Sequence, residues 1–317
     1  MKVVLEKVHG SMNTFYMLDG PERDDYNELA LQLCGIDAGV DGLLVILPSQ
    51  SGHAKMRVFN RDGSEASMCG NGLRCVARYV CEKEGIREAV IETMKADLAV
   101  RKEDTLMEGI ETYSVQISPV SFELKDLPME YGGRSELILE PIPEISGDIP
   151  FTAVAVPNPH LIGIVPKEIQ QDESHQQYWA EKFNGPNDYF ADGVNVSYVT
   201  KLDQGIFVRT FERGVGFTNA CGTAMTASAL VSCLADLVAF GEVAVYNPGG
   251  MVKCTVEKEG ALYNLLLTGN ATRISLHEFD WAADRENSGF LTTETLEEQR
   301  HYKKFTEEIS AVVNQLG

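Results

Sequence analysis

Short apolar or alternating stretches recur from the start of the chain, at Val3–Val8, Phe15–Leu18, Gly42–Leu47 and Met56–Phe59. Each is closed by Gly, Pro or Asp-rich punctuation, which predicts a mostly β first region. After Cys69 the period changes: Leu73, Val76, Ala77 and Val80 fall at helical spacing, with Arg74, Arg78, Lys83 and Glu84 on the other side and Gly85 as the stop. Strand signals return at Ala89–Thr93 and Tyr113–Ile117. Past a Pro- and Gly-marked stretch over 130–150 they resume at Ala153–Val156, Gly163–Val165, Val194–Val199 and Ile206–Phe211. A second helix follows Cys221, carrying Met225, Leu230, Val231, Leu234, Leu237 and Val238 with Asp236 as its one charge before Gly241. Apolar all round, it is expected to be buried. From about 281 the chain is amphiphilic and Glu-rich, with a helical pattern over Thr293–Leu316 to which no chemistry is assigned.

The two helical stretches begin alike, Cys69-Gly70-Asn71-Gly72-Leu73-Arg74 and Cys221-Gly222-Thr223-Ala224-Met225-Thr226. Cys81 and Cys233 each follow by twelve residues, Ala77 and Ala229 stand at plus eight, and Asn60 and Glu212 stand nine before their cysteine. The register predicts a pseudo-twofold molecule of two strand-rich halves, each with a central helix starting at a thiol, and a site in the cleft between them. The boundary is placed near residue 118–120.

Composition narrows the classes. A chain of 317 residues with 44% apolar and 23% charged residues fits a two-domain globular enzyme. Seven cysteines without a Cys-x-x-Cys argue against a disulfide framework and a zinc knuckle, so no metal is expected and the thiols are read as reduced. Cys34, Cys75, Cys81, Cys233 and Cys254 are read as small buried hydrophobes. A net charge of −20 with no basic block argues against nucleic acid and anionic membranes as partners. No signal peptide or membrane span is visible, which predicts a cytoplasmic protein.

A thiol at a helix start meets unpaired N–H groups and the positive end of the helix dipole, so its pKa can fall to roughly 3.5–7.5. One such thiol is a candidate base; two in register suggest base plus acid. The N–H groups of Gly70, Asn71, Gly222 and Thr223 would dock a carboxylate, with Cys69 and Cys221 flanking the adjacent carbon from opposite faces. Taking an α-proton on one side and returning one on the other inverts the centre, which is racemisation or epimerisation. The same donors would follow the carbanion's charge into the carboxylate. No lysine stands in a phosphate-cup context, so no pyridoxal phosphate or other cofactor is expected. His160 and Glu212 are placed in loops near the thiols, where a glutamate would raise a cysteine pKa and a cationic histidine would lower one.

Met68-Cys69-Gly70-Asn71-Gly72-Leu73-Arg74-Cys75, Asn158-Pro159-His160, Val194-Asn195-Val196, Glu212-Arg213-Gly214, Ala220-Cys221-Gly222-Thr223 and the opening His9-Gly10-Ser11-Met12-Asn13-Thr14-Phe15 resemble the diaminopimelate epimerases. These are cofactor-free enzymes of lysine and peptidoglycan-precursor synthesis, and the chain has the look of their longer bacterial type. The resemblance implies that Cys69 and Cys221 exchange base and acid roles with the direction of reaction and that His160 and Glu212 modulate their pKa values. It implies substrate contacts from Asn13, Asn60, Asn158, Asn195, Glu212 and Arg213, with the reacting carboxylate on the amides of Gly70, Asn71, Gly222 and Thr223. It implies an α/β (α+β) fold of two pseudo-symmetric domains, each a mixed or antiparallel barrel-like sheet around a central helix. Residues 1–118 form one half, with a return strand near 272–280 and the extension 281–317; residues 119–271 form the other. Members are commonly homodimers.

Three departures stand out, one of them the C-terminal extension 281–317. Where the family often has Asp-Gln, this chain has Asp41-Gly42, and a usual glutamate is Phe217. They leave room for a racemase of another amino acid, such as histidine, as the competing activity. From a different class, the two thiols could serve a redox protein, and a third reading is an amino-acid-binding module without catalysis.

Overall fold

The computed structural model describes residues 1–282 and 288–313. The chain divides into two compact units, Met1–Gln116 with Thr268–Glu307, and Ile117–Leu267 with the chain from Glu308. The first unit therefore takes back the chain after residue 267, and the second takes it again at Glu308.

The first unit opens with β1 (Lys2–Gly10), β2 (Asn13–Asp19), α1 (Tyr26–Ile36), β3 (Gly42–Leu47), β4 (Ala54–Asn60), β5 (Glu65–Ala66), α2 (Gly70–Glu84), β6 (Glu88–Glu92), β7 (Asp97–Lys102) and β8 (Thr112–Ile117). The second unit runs through β9 (Glu140–Ile142), β10 (Ser146–Val156), β11 (Asn158–Ile164), α3 (Lys167–Gln171), α4 (Glu173–Asn184), β12 (Asn195–Leu202), β13 (Gly205–Glu212), β14 (Gly216–Thr218), α5 (Gly222–Leu234), β15 (Gly241–Asn247), β16 (Gly250–Glu259) and β17 (Leu262–Asn270). Then β18 (Thr272–Asp280) returns to pair antiparallel with β1, β19 (Gly289–Thr295) pairs with β18, and α6 (Glu298–Val313) follows.

The duplication seen in the two cysteine segments extends to the whole strand pattern. In the first unit β1–β2, β3–β4, β4–β5 and β6–β7 are antiparallel, while β2–β3 and β4–β6 are parallel. In the second, β10–β11, β12–β13, β13–β14 and β15–β16 are antiparallel, while β11–β12 and β13–β15 are parallel. Each parallel step spans a helix-bearing or longer connection, as parallel pairing requires. Within each unit the helix after the cysteine is wrapped by that unit's strands: α2 packs on β1, β2, β3, β4, β6 and β7, and α5 on β10, β11, β12, β13, β15 and β16.

The cores differ in what fills them. In the first unit Leu29 and Leu33 of α1 pack with Tyr16, Leu43, Val45, Phe59 and Phe279; in the second, Phe183 of α4 packs with Phe151, Phe190, Leu161 and Tyr198. Each such fully buried side chain stabilises by about 1.5–3 kcal/mol over its exposed state.

Four local expectations are corrected. Arg74 and Arg78 do not face water: they are 0% and 6% exposed, because their guanidinium groups reach backbone carbonyls at Asn270 and Ala271 and the Glu298 carboxylate. The second helix stops at Leu234, short of Leu237 and Val238. Asp236 takes φ +53°, and Asp236 N–H and Leu237 N–H close back on Cys233 and Ser232 carbonyls, the Schellman ending that Gly85 (φ +68°) provides for α2. His160 and Glu212 lie in strands, inside β11 and at the end of β13, instead of in loops. In the tail, Thr293–Thr295 belongs to β19 and the helix begins at Glu298; the expected helical residues 314–316 lie outside the described residues.

Candidate active site

Cys69 is the N-cap of α2, with extended backbone (φ −139°, ψ 111°), and its sulfur does what a serine or aspartate cap does: it accepts the Gly72 N–H at 3.4 Å. The Cys69 thiol donates to Asn13 Oδ1 at 3.5 Å, and Asn71 Nδ2 donates to the same oxygen at 3.4 Å. Asn13 is fixed from its other end, where Nδ2 donates to Asp41 Oδ2 at 2.9 Å. That carboxylate oxygen also accepts the Thr14 N–H at 2.8 Å. Asp41 therefore decides which way the Asn13 amide points, so that its oxygen, not its nitrogen, faces the thiol. Sequence reasoning quoted Asp41 but gave it no task.

Cys221 is the N-cap of α5, also extended (φ −113°, ψ 110°), and 7% exposed. Its sulfur lies 3.6 Å from Thr223 Oγ1, and Thr223 Oγ1 lies 3.1 Å from His160 Nε2. The Glu212 carboxylate acts on the same thiol through its charge, and it accepts the Thr218 hydroxyl at 2.6 Å. The result is one chain of interactions, Thr218 to Glu212 to Cys221 to Thr223 to His160. Thr218, three residues before the cysteine, was missed in the sequence.

The electrostatics correct two expectations. The Cys221 thiol is pushed well above its ordinary value, first by burial and then by the Glu212 charge, so its position at a helix start does not make it an easily ionised thiol. His160, fully buried, is pushed down to about 3 by burial and by the Arg213 charge. It is neutral, and cannot lower a cysteine pKa as a cation. Its Nδ1 has no hydrogen-bond partner among the described residues.

The remaining predicted residues divide between units. In the second, Asn195 stands opposite His160 in the parallel β11–β12 register, and its Oδ1 accepts the Arg213 N–H at 3.0 Å. The Arg213 guanidinium donates to the Asp192 carbonyl at 3.0 Å, and the arginine borders a cavity of about 380 Å³ with Asn184, Gly193 and Gly214. Asn158 opens β11 as Asn13 opens β2, and Glu212 closes β13 as Asn60 closes β4. In the first unit, the Asn60 side chain is exposed and donates to Ser64 Oγ at 3.0 Å, a turn contact. Gly70 and Asn71, and Gly222 and Thr223, occupy the first turns of α2 and α5, where N–H groups have no intrahelical partner. Cys34, Cys75, Cys81, Cys233 and Cys254 are all buried free thiols, and Cys69 is half-buried. Among the described residues no group of three His, Cys, Asp or Glu could hold a metal ion, and no helix is long and apolar enough to cross a membrane.

The departures at Gly42 and Phe217 have local causes. A Cβ at Gly42 would lie 2.2 Å from the Phe59 carbonyl oxygen, so the β3–β4 backbones approach too closely for any side chain there. Phe217 pairs with Phe211 across β13–β14, their rings 5.2 Å apart, with the Arg209 guanidinium over it at 5.4 Å. Strand alternation puts Arg209, Phe211 and Phe217 on the face opposite Thr210, Glu212 and Thr218. Phe217 thus packs behind the sheet and leaves the Glu212 face unchanged.

A fold built from two repeated strand-and-helix units also occurs in a solved phenazine biosynthesis protein of the PhzF family from Bacillus anthracis. The likeness has a TM-score of 0.65 at 15% identity, over 88% of this chain and 99% of that one. Such a likeness defines the fold alone. The family model described as diaminopimelate epimerase matches residues 5–112 and 152–274. The diaminopimelate epimerase of Enterococcus faecalis is 46% identical over 98% of this chain and 99% of its own. That of Ligilactobacillus salivarius is 47% identical over 94% and 97%. The chain belongs to the diaminopimelate epimerase family and is an isomerase of that kind.

Proposed function

We propose that this protein interconverts LL- and meso-diaminopimelate by cofactor-free proton transfer between the substrate α-carbon and the thiols of Cys69 and Cys221. The observation that carries this reading is the unlike setting of the two sulfurs. Cys221 is buried against a carboxylate and retains its proton, which suits the acid. Cys69 is half-buried, with the Gly72 N–H and the Asn13 amide oxygen beside its sulfur, and this more open thiol is assigned the base.

In one direction the Cys69 sulfur takes the α-proton, the electron pair of the C–H bond passes into the carboxylate, and the Cys221 S–H returns a proton on the other face. The enzyme is left with its protonation exchanged, ready for the reverse reaction. The amides of Gly70, Asn71, Gly222 and Thr223 serve as donors to the reacting carboxylate. Glu212 holds the proton on Cys221, and neutral His160 positions Thr223 against it. Asn13, Asn60, Asn158, Asn195, Glu212 and Arg213 contact substrate, the carboxylate and guanidinium answering a second ammonium-and-carboxylate head.

The family's named substrate, and the retention of a charged pair at Glu212 and Arg213, favour diaminopimelate over a monoamino acid. We place the activity in lysine and peptidoglycan-precursor synthesis, in the cytoplasm, in a homodimer. The acidic surface (net charge −20) supports the exclusion of nucleic acid as a partner. A turnover panel under reducing conditions, with LL-diaminopimelate beside L-histidine and L-proline, tests the substrate. Conversion of diaminopimelate alone is expected, and inversion of only a monoamino acid would replace this reading.

A further inference from the structure

The turn that delivers Asn13 to Cys69 is under backbone strain. Between β1 and β2, Ser11 and Met12 both take positive φ, +53° and +66°, without a glycine between them. A left-handed residue other than Gly costs about 1–2 kcal/mol, and two in succession persist only where the surroundings over-determine them. Asn13 is the next residue, so the turn sets where its amide lies.

The surroundings that hold this turn come largely from α6, about 290 residues downstream. His9 is fully buried and its Nε2 lies 2.8 Å from Gln299 Oε1. The Tyr302 ring stands edge-on to the His9 ring with centroids 4.5 Å apart, and the Tyr302 hydroxyl hydrogen-bonds the Ser11 side chain. Gln299 Nε2 donates to the Met12 sulfur at 3.9 Å. Every side-chain-bearing residue from His9 to Met12 therefore meets Gln299 or Tyr302.

The contacts agree on one protonation state. Met12 N–H donates to His9 Nδ1 at 3.2 Å, so Nδ1 accepts and Nε2 carries the hydrogen that Gln299 Oε1 receives. Behind the turn, Asn270 Oδ1 accepts the Ser11 N–H at 2.7 Å and Arg74 donates to Ser11 Oγ at 3.0 Å. The helix itself is anchored one residue earlier, where Glu298 takes both terminal nitrogens of Arg78 at 2.6 and 2.8 Å.

We infer that Gln299 and Tyr302 are positioning residues for the Cys69 thiol, acting through the His9–Met12 turn on Asn13. The inference rests on the proposed role of Cys69 as a reacting group. It gives the C-terminal helix, to which the sequence assigned no chemistry, a task at the site.

The test compares wild type with Gln299→Leu, Tyr302→Phe and the double variant, and with Lys303→Ala on the exposed side of α6 as control. Circular dichroism establishes folding at the assay temperature. Iodoacetamide alkylation, followed peptide by peptide, gives the rate at Cys69 against that at Cys221. A misplacement of about 1 Å at a reacting group can cost up to a hundredfold, so the double variant should change the Cys69 rate and lower kcat each by about tenfold, with KM moving less. Cys221 and the control should keep wild-type rates. A folded double variant with an unchanged Cys69 rate and kcat, or one in which both thiols accelerate together, would overturn the inference, since the helix would then only pack. Alkylation needs no substrate, so if wild type fails to turn over diaminopimelate, the Cys69 rate still decides this inference while the substrate reading alone falls.

Discussion

The Glu212 carboxylate raises the pKa of the Cys221 thiol by its charge, and the carboxylate is held in place by the Thr218 hydroxyl at 2.6 Å. Burial and this charge act on the thiol in the same direction. Replacing Glu212 by Gln removes the charge and leaves the burial, so the Cys221 pKa should fall and its alkylation should begin at lower pH than in wild type. Turnover should drop by about a hundredfold or more, the scale of a lost acid–base group. An unchanged alkylation profile at Cys221 would show that the carboxylate does not govern the thiol.

Asp41 offers a test of how the Asn13 amide is oriented. With Asp41→Ala, the Asn13 Nδ2 and Thr14 N–H lose their acceptor, and the amide is free to turn its nitrogen toward Cys69. Activity should fall by about tenfold with the fold retained, a loss of the size expected for a charge-assisted hydrogen bond of about 1.5–3 kcal/mol. Steady-state kinetics on a variant with wild-type circular dichroism provide the check.

Gly42→Gln restores the residue expected from the family pattern but should not improve the enzyme. Its Cβ would press on the Phe59 carbonyl, and overpacking of this kind costs about 1–3 kcal/mol. Urea unfolding should show a lower midpoint. A variant as stable as wild type would mean that the β3–β4 spacing adapts freely.

Two buried histidines set a pH dependence of stability. His9 is pushed down to about 4, first by burial, and His160 to about 3, from an ordinary value of 6.5. Both bind protons more readily unfolded than folded, so stability rises with pH through this window. It should be full above pH 6.5 and decline as pH falls toward 4 and then 3, His9 alone accounting for on the order of 3 kcal/mol. Melting temperature measured from pH 7.5 to 4.5 should fall, and His160 should show no imidazole titration by NMR between pH 5 and 8.

The parts of this site legible in the sequence are those carried by local pattern. The two cysteines at helix starts, the glycine that ends α2, and the residues nine before each thiol all sit where their spacing puts them, because caps and strand ends are set by neighbours. What the sequence did not carry depends on partners far along the chain. Arg74 and Arg78 read as surface residues because their acceptors lie 196 and 220 residues away. Cys221 read as a thiol eased by its helix start and His160 as a cation that would lower a cysteine pKa, because nothing local announces how deeply the fold buries them. The end of α5 was overrun because an aspartate takes the left-handed position usually marked by glycine.

The central claim is that two thiols, one giving and one taking a proton, carry the inversion. Its most direct measurement is deuterium entry at Cα of LL-diaminopimelate in deuterated water under reducing conditions, for wild type, Cys69→Ser and Cys221→Ser. The account predicts meso product labelled at a single centre for wild type, and loss of inversion in both variants with their folds intact. Meso product still formed at the wild-type rate by either folded variant would contradict it.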